Sequence, residues 1–414
     1  MKVVCGSGAY IEDGRCHSGV FNVVFCPAWH EAGGGIAIRR WFMPQKIKAS
    51  IAYGIGKGFA QPEEIIIDDP IGAEVLVDVQ ASGLCHSDLH LVEDDDKFFP
   101  FPAVIGHEIS GIVEAVGPEV SGIKVGDHVV ASLEQVCGHC ANCLKGQPQS
   151  CTQQQECVRG AGEKPRLSFP DGRPITQAFG TGGFAEKALI HENQLAVVNN
   201  QVKWDEAACI GCATITGAGA AINTAHVRPG DTVAVIGTGG IGLNIISGAR
   251  ICGAKRIIAI DLLDNKLEFA RKFGATDVIN SKNEDPVAKV RELTDGGVDQ
   301  AFEAIGLPVT MKQAWDMLGV GGTAYPIGLT KPDATVSLEI NPADLLVHQR
   351  GFKGVWMGST NIKHDIPMYA DFAVDGRLNM HDIVSQHIKL SQIDEAYKQL
   401  VNGEVIRSVI TEFD

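Results

Sequence analysis

The sequence predicts an α/β fold in which a doubly wound parallel sheet is joined to a β-rich second lobe. Three observations carry that expectation. The apolar strand TVAVIG runs straight into Gly237-Thr238-Gly239-Gly240-Ile241-Gly242 and then into an apolar helix reaching about Cys252. From there strands and helices alternate: RIIAID, NKLEFARKFG, ATDVIN, PVAKVREL, VDQAFEAIG, TMKQAWDML and GGTAYPIGL, the pattern of parallel strands with right-handed helical crossovers. Ahead of this region come IKASIAY, EEIIIDD and AEVLVDVQAS, short β-rich runs separated by Gly and Pro. Alternation such as Val75, Val77, Val79 reads there as half-buried antiparallel strands.

A chain of 414 residues exceeds one ordinary core, so two domains are expected. The expected boundaries are residues 44–213 with 357–414 for the β-rich lobe, and 214–356 for the parallel sheet. A net charge of -15 lacks the basic face that nucleic acid requires. No run approaches the roughly 18 to 20 uninterrupted apolar residues of a membrane span, and Glu12, Asp13 and Arg15 interrupt any secretory pattern near the start. A cytoplasmic protein without nucleic-acid or membrane partners is the expectation. Residues 1–43 differ from the rest, with Cys5, Cys16, Cys26, a Gly33-Gly34-Gly35 run and no sustained period. They read as an atypical extension or as a misassigned start, with Met43 the natural beginning.

Within the β-rich lobe the densest chemistry lies in Gly83-Leu84-Cys85-His86-Ser87-Asp88-Leu89-His90, followed by Gly106-His107-Glu108. A thiol, a hydroxyl, a carboxylate and two imidazoles fall within six positions, which suggests half of a catalytic zinc site. Next come Cys137, Cys140, Cys143 and Cys151, whose spacing suits a closed tetrahedral zinc site with no position open to substrate. Residues 152–183, with Pro165, Pro170 and Pro174, read as a surface loop. WDEAACIGCATITGAGAAI then reads as a helix carrying Cys209 and Cys212, either of which is a buried core thiol or the soft ligand that the first cluster lacks.

The glycine motif gains meaning from its setting between a buried strand and a helix. Gly237, Gly239, Gly240 and Gly242 permit a tight turn and close approach to a pyrophosphate, and the helix N-terminus adds positive partial charge. Asp261 follows Gly242 by 19 residues at the end of RIIAID. A carboxylate there accepts hydrogen bonds from ribose hydroxyls and repels a 2′-phosphate, favouring NAD over NADP.

GLCHSDLH, GHE, the four-cysteine lobe, IGCATITG, GTGGIG with Asp261 and the closing GEVIRSVI, in this order, resemble the zinc-dependent medium-chain alcohol dehydrogenases. The resemblance covers about residues 46–414 and implies a Rossmann domain with a GroES-like catalytic domain. It implies catalytic-zinc ligands Cys85, His107 and Cys212, the last chosen over Cys209 by the GC-x-x-x-TG motif. Structural zinc falls to Cys137, Cys140, Cys143 and Cys151, giving two zinc ions per chain. Asp88 would orient His107, Glu108 would lie behind the metal, and Ser87 and His90 would relay the alcohol proton to solvent. His86 and Arg407 would approach the pyrophosphate, Lys266 the adenosine ribose, and Thr216 the nicotinamide of NAD.

Leu133 and Phe179 would line an apolar substrate pocket, and the Glu93-Asp94-Asp95-Asp96 run with Phe98 and Phe99 falls in the substrate-side loop. The resemblance thus implies an NAD-dependent dehydrogenase interconverting a primary alcohol, aromatic or allylic ones included, with its aldehyde. The length of the Cys151–Phe184 segment implies a homodimer. A nicotinoprotein with permanently held NAD and a non-catalytic dinucleotide sensor are the two alternatives.

Overall fold

The computed structural model describes residues 44–93, 99–331 and 334–414, together with the backbone of three short strands nearer the start. Those strands, Val3–Cys5, Ala9–Glu12 and Arg15–Ser18, form an antiparallel sheet inside a unit spanning Met1–Phe42. The strands arise where no sustained period was read, because three- and four-residue strands are too short to display one. Residues 94–98, which hold most of the acidic run and Phe98, lie outside the described residues.

Met43–Asp414 forms a second compact unit. Its parallel sheet has the order Asp277–Asn280, Arg256–Asp261, Thr232–Ile236, Val298–Glu303, Leu318–Pro326, Gly351–Phe352. Numbered along the chain this is 3-2-1-4-5-6, the Rossmann order, with its crevice at the C-terminal end of Thr232–Ile236. Residues 233–236 and 257–260, the middle of the sheet, are apolar and buried because helices cover both faces.

The β-rich lobe is built on Glu74–Gly83, which pairs with Glu108–Val116, Lys187–His191 and the C-terminal strand Ser408–Glu412. Expected as half-buried, Glu74–Gly83 is buried on nearly its whole length: Leu76 is as enclosed as Val75 and Val77. Both faces are covered, so alternation in the sequence does not become alternation in exposure. The register Val409↔Gly83 brings the C-terminal tail, and Arg407 with it, beside the strand that delivers Cys85.

Residues 152–183 correct the expectation of a surface loop. They contain strands Leu167–Ser168 and Pro174–Gln177, which join a five-stranded sheet. Arg159 donates to Glu74 (2.6 Å) and Asp68 (2.6 Å), and Arg166 donates to Glu74 (2.7 Å). Glu74 and Arg166 are buried. These two arginines are the segment's anchor, since buried guanidinium groups persist only when paired.

Trp204–Thr224 is 21 residues long and apolar enough, by length and composition, to cross a membrane, yet it is largely buried within the protein and acts as a core helix. Two π-turns, Ile210–Thr214 and Ala220–Thr224, interrupt it. Gly211 is obligatory in the first, because a Cβ there would lie 2.0 Å from the Ala131 carbonyl oxygen.

Candidate active site and metal centres

Cys85 ends the loop after Glu74–Gly83, and His86–Glu93 starts a helix immediately afterwards. His107 and Glu108 enter the antiparallel strand paired with Gly83, and Cys212 sits in the π-turn. The wider turn re-aims a side chain that a regular α-helix would direct elsewhere. One ligand atom each from Cys85, His107, Glu108 and Cys212 therefore lie within 4.8 Å of one another, all in buried residues. Cys209 is buried in the core and stands outside this set.

The partners around the cluster are specific. Asp88 Oδ1 lies 2.8 Å from His107 Nδ1, which leaves Nε2 turned to the sulfurs, 3.3 Å from Cys212 Sγ. Asp88 also accepts from the Cys85 amide, so one carboxylate fixes two neighbours. Burial pushes Asp88 up and His107 down; the Asp88 charge and hydrogen bond reverse the second effect and hold the imidazole well above its ordinary value. The Cys85 and Cys212 thiols share a hydrogen bond, which draws Cys85 down and, with burial, drives Cys212 up.

Glu108 is pushed up to about 7, first by burial, against the pull of Arg407. Arg407 Nη2 stands 3.1 Å from Glu108 Oε1, at ion-pair distance without hydrogen-bond alignment, and Nη1 donates to the Leu84 carbonyl. Both Glu108 oxygens lack a hydrogen-bond partner among the described residues. Two thiols, an imidazole oriented by a carboxylate and an unsatisfied buried carboxylate form a donor set that fits a zinc ion.

Ser87 Oγ donates to Cys85 Sγ at 3.1 Å and lies 3.4 Å from His107 Nε2, so its hydroxyl borders the cluster. His90 follows Ser87 by three positions on His86–Glu93 and is half-buried. His86 is exposed; the surrounding protein lowers its imidazole pKa, Cys85 opposes this, and Arg407, His90 and Lys266 add to the lowering. Arg407 also reaches the glycine turn: a Cβ on Gly240 would meet its Nη2 at 3.2 Å.

In that turn Gly237 has φ +91°, and a Cβ on Gly242 would lie 1.9 Å from the Gly237 carbonyl oxygen. Both positions admit only glycine. Gly239 precedes helix Gly240–Ile251. Asp261 Oδ2 accepts from the Thr238 amide and hydroxyl, both at 2.9 Å, so the carboxylate is tied to the turn it serves. Lys266 lies near Gly403, and Thr216 is buried with its hydroxyl 3.6 Å from the Met357 sulfur.

The second cluster, Cys137, Cys140, Cys143 and Cys151, places four sulfurs within 4.8 Å. Backbone amides of Cys137, His139, Cys140 and Gln153 donate to its sulfurs. Four thiols with amide donors and no carboxylate fit a closed zinc site. His139 and Glu156, paired at 2.7 Å, border it at the surface.

Leu133 and Phe179 meet in a cavity of about 100 Å³ shared with Glu134, Gln135, Gln149 and Trp356. Phe179 has φ +52°, the left-handed region rarely used by side-chain-bearing residues, and its ring lies 6.3 Å from that of His107. Glu134 escaped the sequence reading, although a single charge within VVASLEQV was a usable signal. Trp356 offered none.

The fold and the two clusters define a zinc-binding oxidoreductase that uses a nicotinamide dinucleotide. Family models agree: an alcohol dehydrogenase GroES-like domain matches residues 72–200, and a zinc-binding dehydrogenase domain matches 240–375. An S-(hydroxymethyl)glutathione dehydrogenase of Photobacterium damsela subsp. piscicida is 36% identical over 371 residues, covering 88% of this chain and 99% of the relative. An NDMA-dependent alcohol dehydrogenase of Amycolatopsis methanolica is 35% identical over 376 residues, covering 88% and 98%. The crystal structure of benzyl alcohol dehydrogenase from Acinetobacter calcoaceticus superposes with TM-score 0.81 at 35% identity, covering 89% of this chain and all of that one. The chain belongs to the zinc-dependent medium-chain alcohol dehydrogenase family, and it is an NAD-dependent oxidoreductase acting on CH–OH groups.

Proposed function

We propose that the chain interconverts a primary alcohol, aromatic and allylic ones included, with its aldehyde, and that it carries two zinc ions. The observation that carries this reading is the Ser87 hydroxyl beside the buried Cys85, His107, Glu108 and Cys212 cluster. Cys85, His107 and Cys212 would hold the catalytic ion, and Asp88 keeps His107 in the tautomer that presents Nε2. Bound zinc supplies Lewis acidity that brings an alcohol hydroxyl towards neutral pKa. Ser87 accepts the alcohol proton, and His90 passes it to solvent. Glu108, 3.1 Å from the Arg407 guanidinium, would adjust the charge next to the three ligands.

The turn Gly237–Gly242 seats the pyrophosphate, with Arg407 and His86 alongside, and bound nicotinamide supplies the hydride acceptor. Asp261, held by Thr238, with Lys266 takes the adenosine ribose, and Thr216 packs against the nicotinamide. Leu133 and Phe179 receive the apolar part of the substrate, which accords with a benzyl alcohol dehydrogenase among the similar structures.

A homodimer accords with the sheet edge Gly351–Phe352 and with exposed Leu345, Leu346, Val347 and Trp356 near it. Free thiols gathered into ligand sets suit a reducing cytoplasm. NADH formation across aliphatic, allylic and aromatic alcohols tests the proposal. Turnover of aromatic or allylic primary alcohols is expected, and secondary alcohols alone as substrates would overturn it. The NDMA-dependent relative favours one second reading, a permanently bound dinucleotide. NAD(H) retained through gel filtration, with no turnover of added NAD, would select it.

A further inference from the structure

The four-cysteine lobe carries a further group of ligand atoms on its outer side. Cys137, Gly138 and His139 form a turn, with Gly138 at φ +81°, in which the His139 and Cys140 amides both donate to Cys137 Sγ. The turn leaves the His139 imidazole in solvent, its side chain 62% exposed. The chain then passes Cys151 and returns as the short 3-10 helix Gln154–Cys157. Cys157 is fully buried and donates to the Val136 carbonyl at 3.4 Å, which pins this helix beside the residue preceding Cys137. Glu156 is thereby held opposite His139, its Oε2 2.7 Å from His139 Nε2. One ligand atom each from Cys137, His139 and Glu156 lie within 4.8 Å of one another, and Gln153 Oε1 is 3.6 Å from Cys137 Sγ. Other surface imidazole–carboxylate pairs, His387 with Asp205 and His364 with Asp365, belong to no such three-donor group among the described residues.

We propose that Cys137, His139 and Glu156 form a third metal site, which takes a divalent cation of borderline softness, zinc or cobalt, and shares the Cys137 sulfur with the structural ion. The inference rests on the reading of the four-cysteine lobe as a zinc site. A thiolate that binds one ion keeps lone pairs with which to bind a second. Thiolate, imidazole and carboxylate are the three ligand types of zinc, whereas magnesium and calcium take oxygen ligands. An exposed ion pair adds little to stability, so a cation that displaces the His139–Glu156 pair loses little by doing so. Three protein ligands at the surface leave the remaining position to water or to Gln153. The ion is therefore held more weakly than the four-thiol ion beneath it and exchanges with solvent. It takes no part in proton or hydride transfer.

The test is equilibrium dialysis of the untreated holoenzyme against cobalt(II), with zinc and cobalt counted per chain and the absorption spectrum recorded. The wild-type protein is expected to take up one cobalt while keeping both zinc ions, with a thiolate-to-cobalt charge-transfer band that marks sulfur as a ligand. Surface histidine pairs without sulfur give no such band. His139→Ala and Glu156→Gln are each expected to weaken this cobalt by at least about tenfold and to diminish the band at the same free cobalt, since even partners outside a ligand set cost roughly ten- to a hundredfold. Both side chains are exposed, so kcat and melting without cobalt should match wild type. No cobalt beyond the zinc ions, cobalt bound without the band as an adventitious ion only, or a band that grows only as zinc is released overturns the inference. Equal binding by wild type and both variants overturns it as well. A Cys140→Ser variant holding as much zinc as wild type would instead remove the structural-zinc reading, and the shared site with it.

Discussion

The two sulfur clusters of this chain are built from the same atoms in opposite ways. Cys137, Cys140, Cys143 and Cys151 come from fifteen consecutive positions, and the lobe between them has little core, with Leu144 76% exposed. Their sulfurs receive backbone amide donors and no buried carboxylate. Cys85, His107, Glu108 and Cys212 come from distant strands and a π-turn, are buried, and are tuned by Asp88 and Arg407. A local cluster needs the metal to make its fold. A cluster assembled by a fold that is already complete can leave a ligand position for chemistry. The first arrangement brings stability and the second brings reactivity, and substitutions should separate the two.

The largest separation is expected from Cys212→Ser. Turnover should fall about a thousandfold or more, because the Lewis acid is lost or misplaced, while thermal melting stays close to wild type. Near-normal turnover would remove Cys212 from the ligand set. Cys140→Ser should do the reverse, lowering stability by about 3 kcal/mol or more, since a structural metal's binding energy is folding energy. For a domain of this size that is roughly a 5–10 °C lower Tm. The surviving folded enzyme should keep its kcat, and a kcat loss at unchanged Tm would contradict the division of roles.

Next to the thiol lobe, residues 158–177 are held by ion pairs rather than sulfur, and Glu74→Gln tests that contrast. Removing the carboxylate leaves Arg159 and Arg166 facing each other, a loss of about 3 kcal/mol. Burial raises Glu74, but Arg159 and Arg166 outweigh it and hold the carboxyl below its ordinary value. The contribution is therefore complete above the ordinary carboxylate pKa of about 4.3. It is lost as pH falls through the lower folded-state value. Melting curves from pH 7 to pH 3 should show wild type and variant converging on the acid side; a constant gap would refute the ionic account.

Asp88→Asn should cost about ten- to a hundredfold in metal affinity or activity, the range for a residue that orients a ligand. Metal content read beside kcat distinguishes this from a folding defect. The smallest effect is expected from Asp261→Gly, which should reduce the preference for NAD over NADP by about tenfold, measured as the ratio of kcat/KM values. An unaltered ratio would release Asp261 from ribose recognition.

What could be read from the sequence follows the same contrast. The four-thiol lobe and the turn Gly237–Gly242 are local, so spacing alone exposes them, and the strand-helix alternation fixes the parallel sheet. Cys212 was separable from Cys209 only by the family motif, because the π-turn that aims it is stabilised by Gly211 packing on Ala131. The buried state of Glu74–Gly83 was hidden by its alternation, since both faces are covered by partners far along the chain. Arg159 and Arg166 look like solvated charges until Glu74, more than eighty positions away, lies beneath them. Glu134 belongs with these, a polar residue whose meaning depends on what the fold brings around it.

Metal analysis of the purified protein, before and after brief exposure to a chelator, bears most directly on the contrast between a structural and a catalytic cluster. The account predicts two zinc ions per chain at the start, and one after treatment, with activity lost, melting largely retained and activity restored by added zinc. A single zinc in the untreated active protein, or loss of fold and activity together with the first ion removed, would contradict it.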